Sequence, residues 1–296
     1  MKRKKIEMFD IILGIVLLFV AIITLYPFLN ILAISFNNGL DTLRGGIGIW
    51  PREFTLDNYA VVFSNSRVIS SFIITLSRTI VGTITSVLFT AVFSYAMSKP
   101  YLKFKRFYMT LCIITMYFGG GMIPNFVLMQ KLHLTNNYLV YIIPGLLSVW
   151  NMILMITFFK GIPAEIEESA KLDGAGDFII FIKLIIPVST PIIAVIALYN
   201  AIGNWNSWFD AFLYIQDRNL YPLQIVLKDI INSNSIGDML PAAQQAASNA
   251  ISHMSAITTK SITAATMMVT IGPIILVYPF LQKYFLKGVM IGSIKG

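Results

Sequence analysis

The side chains able to do chemistry are few, and their spacing argues against bond-making. Only two histidines, His133 and His253, and one cysteine, Cys112, occur in 296 residues. There is no H-E-x-x-H pair, no grouping spaced for a metal and no G-x-x-x-x-G-K-[ST] phosphate loop. The sequence therefore predicts no catalytic residue, no metal and no cofactor held by this chain. Cys112 sits in an apolar block, where it reads as a small core hydrophobe, and it has no second cysteine for an internal disulfide.

Two stretches place polar groups usefully. The first runs Tyr199-Asn200-Ala201-Ile202-Gly203-Asn204-Trp205-Asn206-Ser207-Trp208-Phe209-Asp210. Amides that both donate and accept, beside flat aromatic faces, suit a hydroxyl-rich ring such as a sugar. Asn200, Asn204, Trp205, Asn206 and Trp208 are the candidates to face such a solute. The same residue types have plainer uses, Trp at membrane interfaces and Asn as a bond between helices.

The second stretch runs from Lys160 to Asp177. Pro163 suits the first turn of a helix. Glu165, Glu167 and Glu168 then lie near the positive end of its dipole and Lys171 near the negative end. Gly174 supplies a left-handed stop, and Asp177 is placed to cap a second helix through Phe178 to Pro187. Ser169, Ala170, Gly174 and Ala175 are small, so another protein could approach this backbone closely.

Composition says what must position these groups. Hydrophobic residues make up 56% of the chain and charged residues 12%, with a mean hydropathy of +0.75. The apolar residues cluster into long blocks, which marks an integral membrane protein. Six blocks reach the ~20 residues that a spanning helix needs: 9–35, 69–97, 107–129, 138–159, 185–209 and 262–284. The fold class is all-α, a polytopic protein forming one transmembrane domain over 1–296, with outer loops 36–68 and 210–261 and a two-helix inner loop 160–184. The basic start at Met1 to Lys5 resembles a signal peptide, but the apolar run after it is long enough to span and reads as a retained helix. With the N-terminus inside, 14 Lys and Arg fall on the inner side and 7 on the outer, so both termini are expected in the cytoplasm. The net charge of +8 has this topological meaning, and no basic stripe interleaved with aromatics suggests nucleic acid.

Arg78 is the one charge deep in a span, among Ser70, Ser71, Thr75, Ser77, Thr79, Thr83, Thr85 and Ser86, a face expected to turn away from lipid. In the outer loop, Leu223, Val226, Leu227, Ile230 and Ile231 have the spacing of an amphipathic helix, and Pro241 to about Met254, rich in Ala, Gln and Ser, reads as a second helical stretch.

The inner loop carries a family resemblance. Glu168-Ser169-Ala170-x-x-x-Gly174, followed by Leu184-x-Ile186-Pro187, resembles the EAA loop of ABC importer permeases. Glu168-Ser169-Ala170-Lys171-Leu172-Asp173-Gly174-Ala175 is similar to the carbohydrate branch, the maltose-type second permease. Gly119-Gly120-Gly121-Met122-Ile123-Pro124, Asn204-Trp205-Asn206, Tyr221-Pro222-Leu223 and Lys287-Gly288 to Lys295-Gly296 are similar to segments of that family. Ser169 departs from its second-position Ala, and Leu184 and Ile186 from its Ile and Leu. The resemblance implies that Glu168, Ser169, Ala170, Asp173, Gly174 and Ala175 form a coupling helix docking on an ABC ATPase dimer. It implies a homologous second permease, an extracytoplasmic solute-binding protein and a carbohydrate cargo. ATP and Mg would be bound by the ATPase, and this chain would be non-catalytic, in the cell membrane. An ion-coupled transporter, which calls for buried carboxylates and an inverted repeat, and an intramembrane enzyme are the alternatives. A receptor-like scaffold would leave the inner loop without a purpose.

Overall fold

The computed structural model describes residues 8–232 and 257–293. The helical stretch expected over 241–254, His253 and the Lys295-Gly296 end fall outside these residues, wholly or in their larger part. Among the described residues the chain is helical, with one isolated antiparallel bridge between Asn37 and Phe54 and no strand.

Apolar blocks become helices of two kinds. The long ones are α1 (Met8–Ser35), α4 (Ser66–Ser98) and α13 (Thr259–Ser293). α1, α4 and the Lys260–Val277 part of α13 are each long and apolar enough to cross a membrane. α1 exposes Leu, Ile, Val and Phe on every side over most of its length, which is stable only in apolar surroundings. The protein is an integral membrane protein.

The other three blocks are each two helices with a sharp bend between them. α5 (Lys105–Tyr117) and α6 (Met122–Lys131) meet at 118° across Phe118-Gly119-Gly120-Gly121. Each glycine there would cost a continuous helix about 1 kcal/mol relative to Ala, and Gly121 has φ +88°. The 3-10 turns over Tyr138–Gly145 meet α7 (Val149–Lys160) at 44°. α9 (Asp177–Val188), with π-helical pitch over Phe181–Ile185, meets α10 (Thr190–Asn206) at 81°. Pro191 explains that break: it has no N–H for the Pro187 carbonyl and its ring would strike it, so the helix ends at Ser189.

Shorter helices are α2 (Gly39–Arg44), α3 (Asp57–Ser64), α8 (Ala164–Leu172), α11 (Phe209–Tyr214) and α12 (Leu223–Asn232). α12 is the amphipathic helix read from the sequence. It buries Leu223, Val226 and Ile230 and leaves Ile231 exposed.

The chain divides into two compact units, Met1–Ile69 with Val226–Pro273, and Ser70–Ile225 with Ile274–Gly296. In the first, the loop after α1 is closed by a buried polar knot. The Asn37 amide donates to Asp41 (2.9 Å) and Thr42 (3.1 Å), and its oxygen accepts from the backbone N–H of Arg52 and Glu53. Arg52 pairs with Asp41 at 2.9 Å. The hydrogen bond from Asn37 holds the Asp41 carboxyl below the usual carboxylate range, Arg52 adding to this against the cost of burial.

The second unit is organised along α4. Ser71, Thr75, Arg78, Ser86, Thr90 and Ser94, three, four or eight residues apart, are all buried. Of the eight hydroxyl residues expected to turn from lipid, Ser71, Thr75 and Ser86 are buried and Ser70, Ser77, Thr79, Thr83 and Thr85 only half-buried, while the buried stripe continues to Thr90 and Ser94. Below them Val87, Ala91 and Tyr95 join Met155, Phe159, Ile180, Phe181, Ile185 and Ile196 in the main apolar core.

Candidate functional site

The loop from Lys160 to α9 is built from local rules. Pro163 stands at the N-cap, one residue earlier than the sequence suggested. At the far end the Ala175 N–H donates to the Ala170 carbonyl (2.9 Å) and the Gly174 N–H to the Lys171 carbonyl (3.0 Å). This pair of bonds is the Schellman closure. It requires the left-handed φ of +80° that Gly174 adopts. Ala170 and Ala175, which the motif brings together, pack on the main core.

Asp177 does not cap α9. Gly176 occupies that position, and the Asp177 carboxylate instead reaches Lys171 at 3.4 Å. This bond raises the Lys171 ammonium above the ordinary lysine range, with the Tyr101 oxygen adding to the effect.

The loop thus has two faces. Glu168, Ser169, Asp173 and Gly174 are exposed, and Leu172 beside them is 90% exposed. Ala170 and Ala175 are half-buried and join the loop to the core. Sequence reasoning treated the six residues as one contact set and passed over Leu172. It also missed Glu167, which turns inward and pairs with Lys99 at the end of α4. The missing signal was a tertiary one, since the two residues lie 68 apart in sequence.

A second group lies in α10 and α11. A cavity of about 130 Å³ is lined by Gly82, Tyr141, Ile142, Gly145, Tyr199, Asn200, Gly203 and Asn204. Asn200 and Asn204 are brought together there, one helical turn apart. The Asn200 amide donates to the Ile196 carbonyl (3.1 Å), and its oxygen meets the Ser86 hydroxyl at 3.4 Å. Asn204 lies against Gly82 of α4, where an added Cβ would come within 2.9 Å of its Nδ2. Glycine at 82 is what allows this approach.

The other three candidates do not line the cavity. Trp205 is buried edge-on to Phe72, with ring centroids 6.0 Å apart. Asn206 is exposed at the end of α10. Trp208 sits among Phe209 and Phe212 at 5.7 and 6.1 Å.

Arg78 has a partner that the sequence did not reveal. Its guanidinium reaches both oxygens of Asp210, at 2.5 and 3.4 Å, and donates to the Ser207 carbonyl. It lies over the Tyr141 ring, 4.2 Å from the centroid. Asp210 is fixed in turn by the Ser207 hydroxyl (2.9 Å) and the Ala211 N–H (2.8 Å). This contact neutralises the deepest charge in α4 beside the cavity. Among the described residues no three His, Cys, Asp or Glu side chains gather as a metal site.

The described residues thus form a helical membrane protein with an exposed, glycine-closed two-helix loop packed on its core. Protein LplC of Bacillus subtilis is 38% identical over 277 residues, covering 94% of this chain and 91% of that one. The polygalacturonan/rhamnogalacturonan transport system permease protein YtcP of the same organism is 34% identical over 294 residues, covering 99% and 100%. A chain from the crystal structure of a bacterial ABC transporter involved in the import of the acidic polysaccharide alginate superposes with a TM-score of 0.86 at 30% identity, covering 96% of this chain and 99% of that one. No family model matches the chain. The chain belongs to the sugar ABC importer permeases.

Proposed function

We propose that this chain is one of two permease subunits of an ATP-driven importer of an oligosaccharide or polysaccharide. It forms half of the translocation path and couples to an ATPase dimer through the loop at 160–184. The observation that carries the reading is that loop: an exposed contact face, closed at Gly174 and fixed to the core through Ala170 and Ala175.

Each bent helix pair counts as one of six spans, with both termini in the cytoplasm, as the Lys and Arg asymmetry supports. Glu168, Ser169, Asp173 and Gly174 meet the ATPase, and burying the exposed Leu172 side chain adds apolar contact area. A solute-binding protein outside delivers cargo between this chain and a homologous permease. Asn200 and Asn204 line the path, where the amide of Asn204 can bond a sugar hydroxyl. ATP and Mg bind to the ATPase subunits, whose closure moves the loop and exchanges outward for inward access. This chain orients and moves without making or breaking a bond.

The test is affinity capture of the tagged chain from gently solubilised membranes of its host. The native chain is expected to bring down a second permease and an ATPase. Gly174→Trp is expected to lose the ATPase alone, while Gly174→Asn, which tolerates the left-handed φ, retains it. A native chain recovered alone would defeat the importer reading.

A further inference from the structure

The loop at 160–184 is joined to the rest of the chain by α7 on one side and α9 on the other, and the structure adds a third connection. Glu167 turns away from the exposed face of α8 and pairs with Lys99, just past the end of α4; the two side chains are only 10% and 18% exposed for Lys99 and Glu167 respectively. The Lys99 ammonium lies 4.0 Å from the centroid of the Tyr95 ring, and the Tyr95 hydroxyl faces the same Glu167 oxygen at 3.5 Å. Tyr95 is packed against Phe159 and Phe181, at the roots of the loop. Lys105 secures the same point by donating to the carbonyls of Ser98 (3.2 Å) and Lys99 (3.0 Å). The end of α4 is therefore held on three sides, and α8 is fastened to it by a charge pair in partly excluded water.

α4 is one unbroken helix from Ser66 to Ser98. Gly82, which touches Asn204 at the cavity, lies about 25 Å up that helix from Lys99 at 1.5 Å per residue. We infer that the Lys99–Glu167 pair is a positioning device that carries movement of α8 directly into α4, and so to the cavity wall at Gly82. α4 would then move with the loop as a rigid rod, independently of the bends at Ser189 and at Gly145 that interrupt the other two routes. This rests on the importer reading above.

The test uses the complete complex purified with its ATPase, with Tyr199→Cys at the cavity as a reporter and Cys112→Ala to remove the native thiol. N-ethylmaleimide labelling of the reporter is timed with and without ATP. Lys99→Met and Glu167→Gln are expected to reduce the ATP-dependent change in labelling by about two- to thirtyfold, the range for residues along coupling networks. The ATPase should still co-purify, and the exchanged pair Lys99→Glu with Glu167→Lys should recover much of the response. An undiminished response in the single variants overturns the inference. Loss of the ATPase from them also overturns it, because the pair would then serve docking. If a single variant does not accumulate, the exchanged pair decides, by recovering the response or failing to. A native complex lacking the ATPase or any ATP response refutes the importer reading itself, before the pair is in question.

Discussion

Arg78 and Lys99 are two cations of the α4 region held in nearly the same way, and their differences are instructive. Each lies over a tyrosine ring, Arg78 over Tyr141 and Lys99 over Tyr95. Each meets one carboxylate from a later segment, Asp210 or Glu167. The Arg78 side chain, however, is 1% exposed and shares its fork between two carboxylate oxygens and a carbonyl. Lys99, its side chain 10% exposed, offers a single ammonium on a flexible stem. A planar, several-pronged cation fixes geometry in a dry interior, whereas a point charge on a long stem can stay paired while its partner shifts. The first arrangement suits a fixed wall beside the cavity and the second suits a joint.

The largest effect expected from this contrast is at the inner pair. Asp210→Ala strands a buried guanidinium and should destabilise the protein by about 3–5 kcal/mol. It would show as a fall in thermal unfolding temperature and in membrane yield. A milder change than that of Glu167→Ala would erase the contrast.

Exchanging the cations sharpens it. Arg78→Lys should cost about 1–2 kcal/mol through lost hydrogen bonds to Asp210 and Ser207, and Lys99→Arg clearly less, both read as unfolding temperature. Equal costs would mean that fork geometry is irrelevant at Arg78.

The tyrosines come next. Tyr141→Phe removes a 2.8 Å bond to the Leu220 carbonyl, worth about 1 kcal/mol. Tyr95→Phe removes only a long contact to Glu167 and should cost about half as much. Comparable values would argue that the Tyr95 hydroxyl is as firmly engaged as that of Tyr141.

The smallest effect belongs to the exposed Lys171–Asp177 pair. Because Lys171 is raised in the folded protein, its contribution is present below the ordinary lysine pKa and is lost as pH rises through the raised value. Asp177→Asn should therefore lower the unfolding temperature only marginally near neutrality, and native and variant should converge in strong alkali. A gap that widened with rising pH would contradict the assignment.

Much of the molecule was legible in the residue order. Apolar block length announced a membrane protein, the Ser and Thr stripe of α4 announced its buried face, and Glu168 to Ala175 announced a glycine-closed turn. The breaks inside two of the three bent blocks were written locally too, in Gly119-Gly120-Gly121 and in Pro191, but block length masked them. Of the five residues read as a solute face, Asn200 and Asn204 share the cavity, while Trp205 turned into the core against Phe72. One helix presents residues one position apart about 100° apart around its axis, so a sequence run of polar and aromatic groups cannot form a single face.

What the sequence by itself determined is what depends on neighbours a few residues away: the three long apolar helices and the Schellman closure, whose bonds reach no further than five residues. Tertiary structure alone decided which charges meet. Arg78 and Asp210 are 132 residues apart and Lys99 and Glu167 are 68 apart. No local pattern favours one carboxylate over another at such separations, and packing along α4 makes the selection.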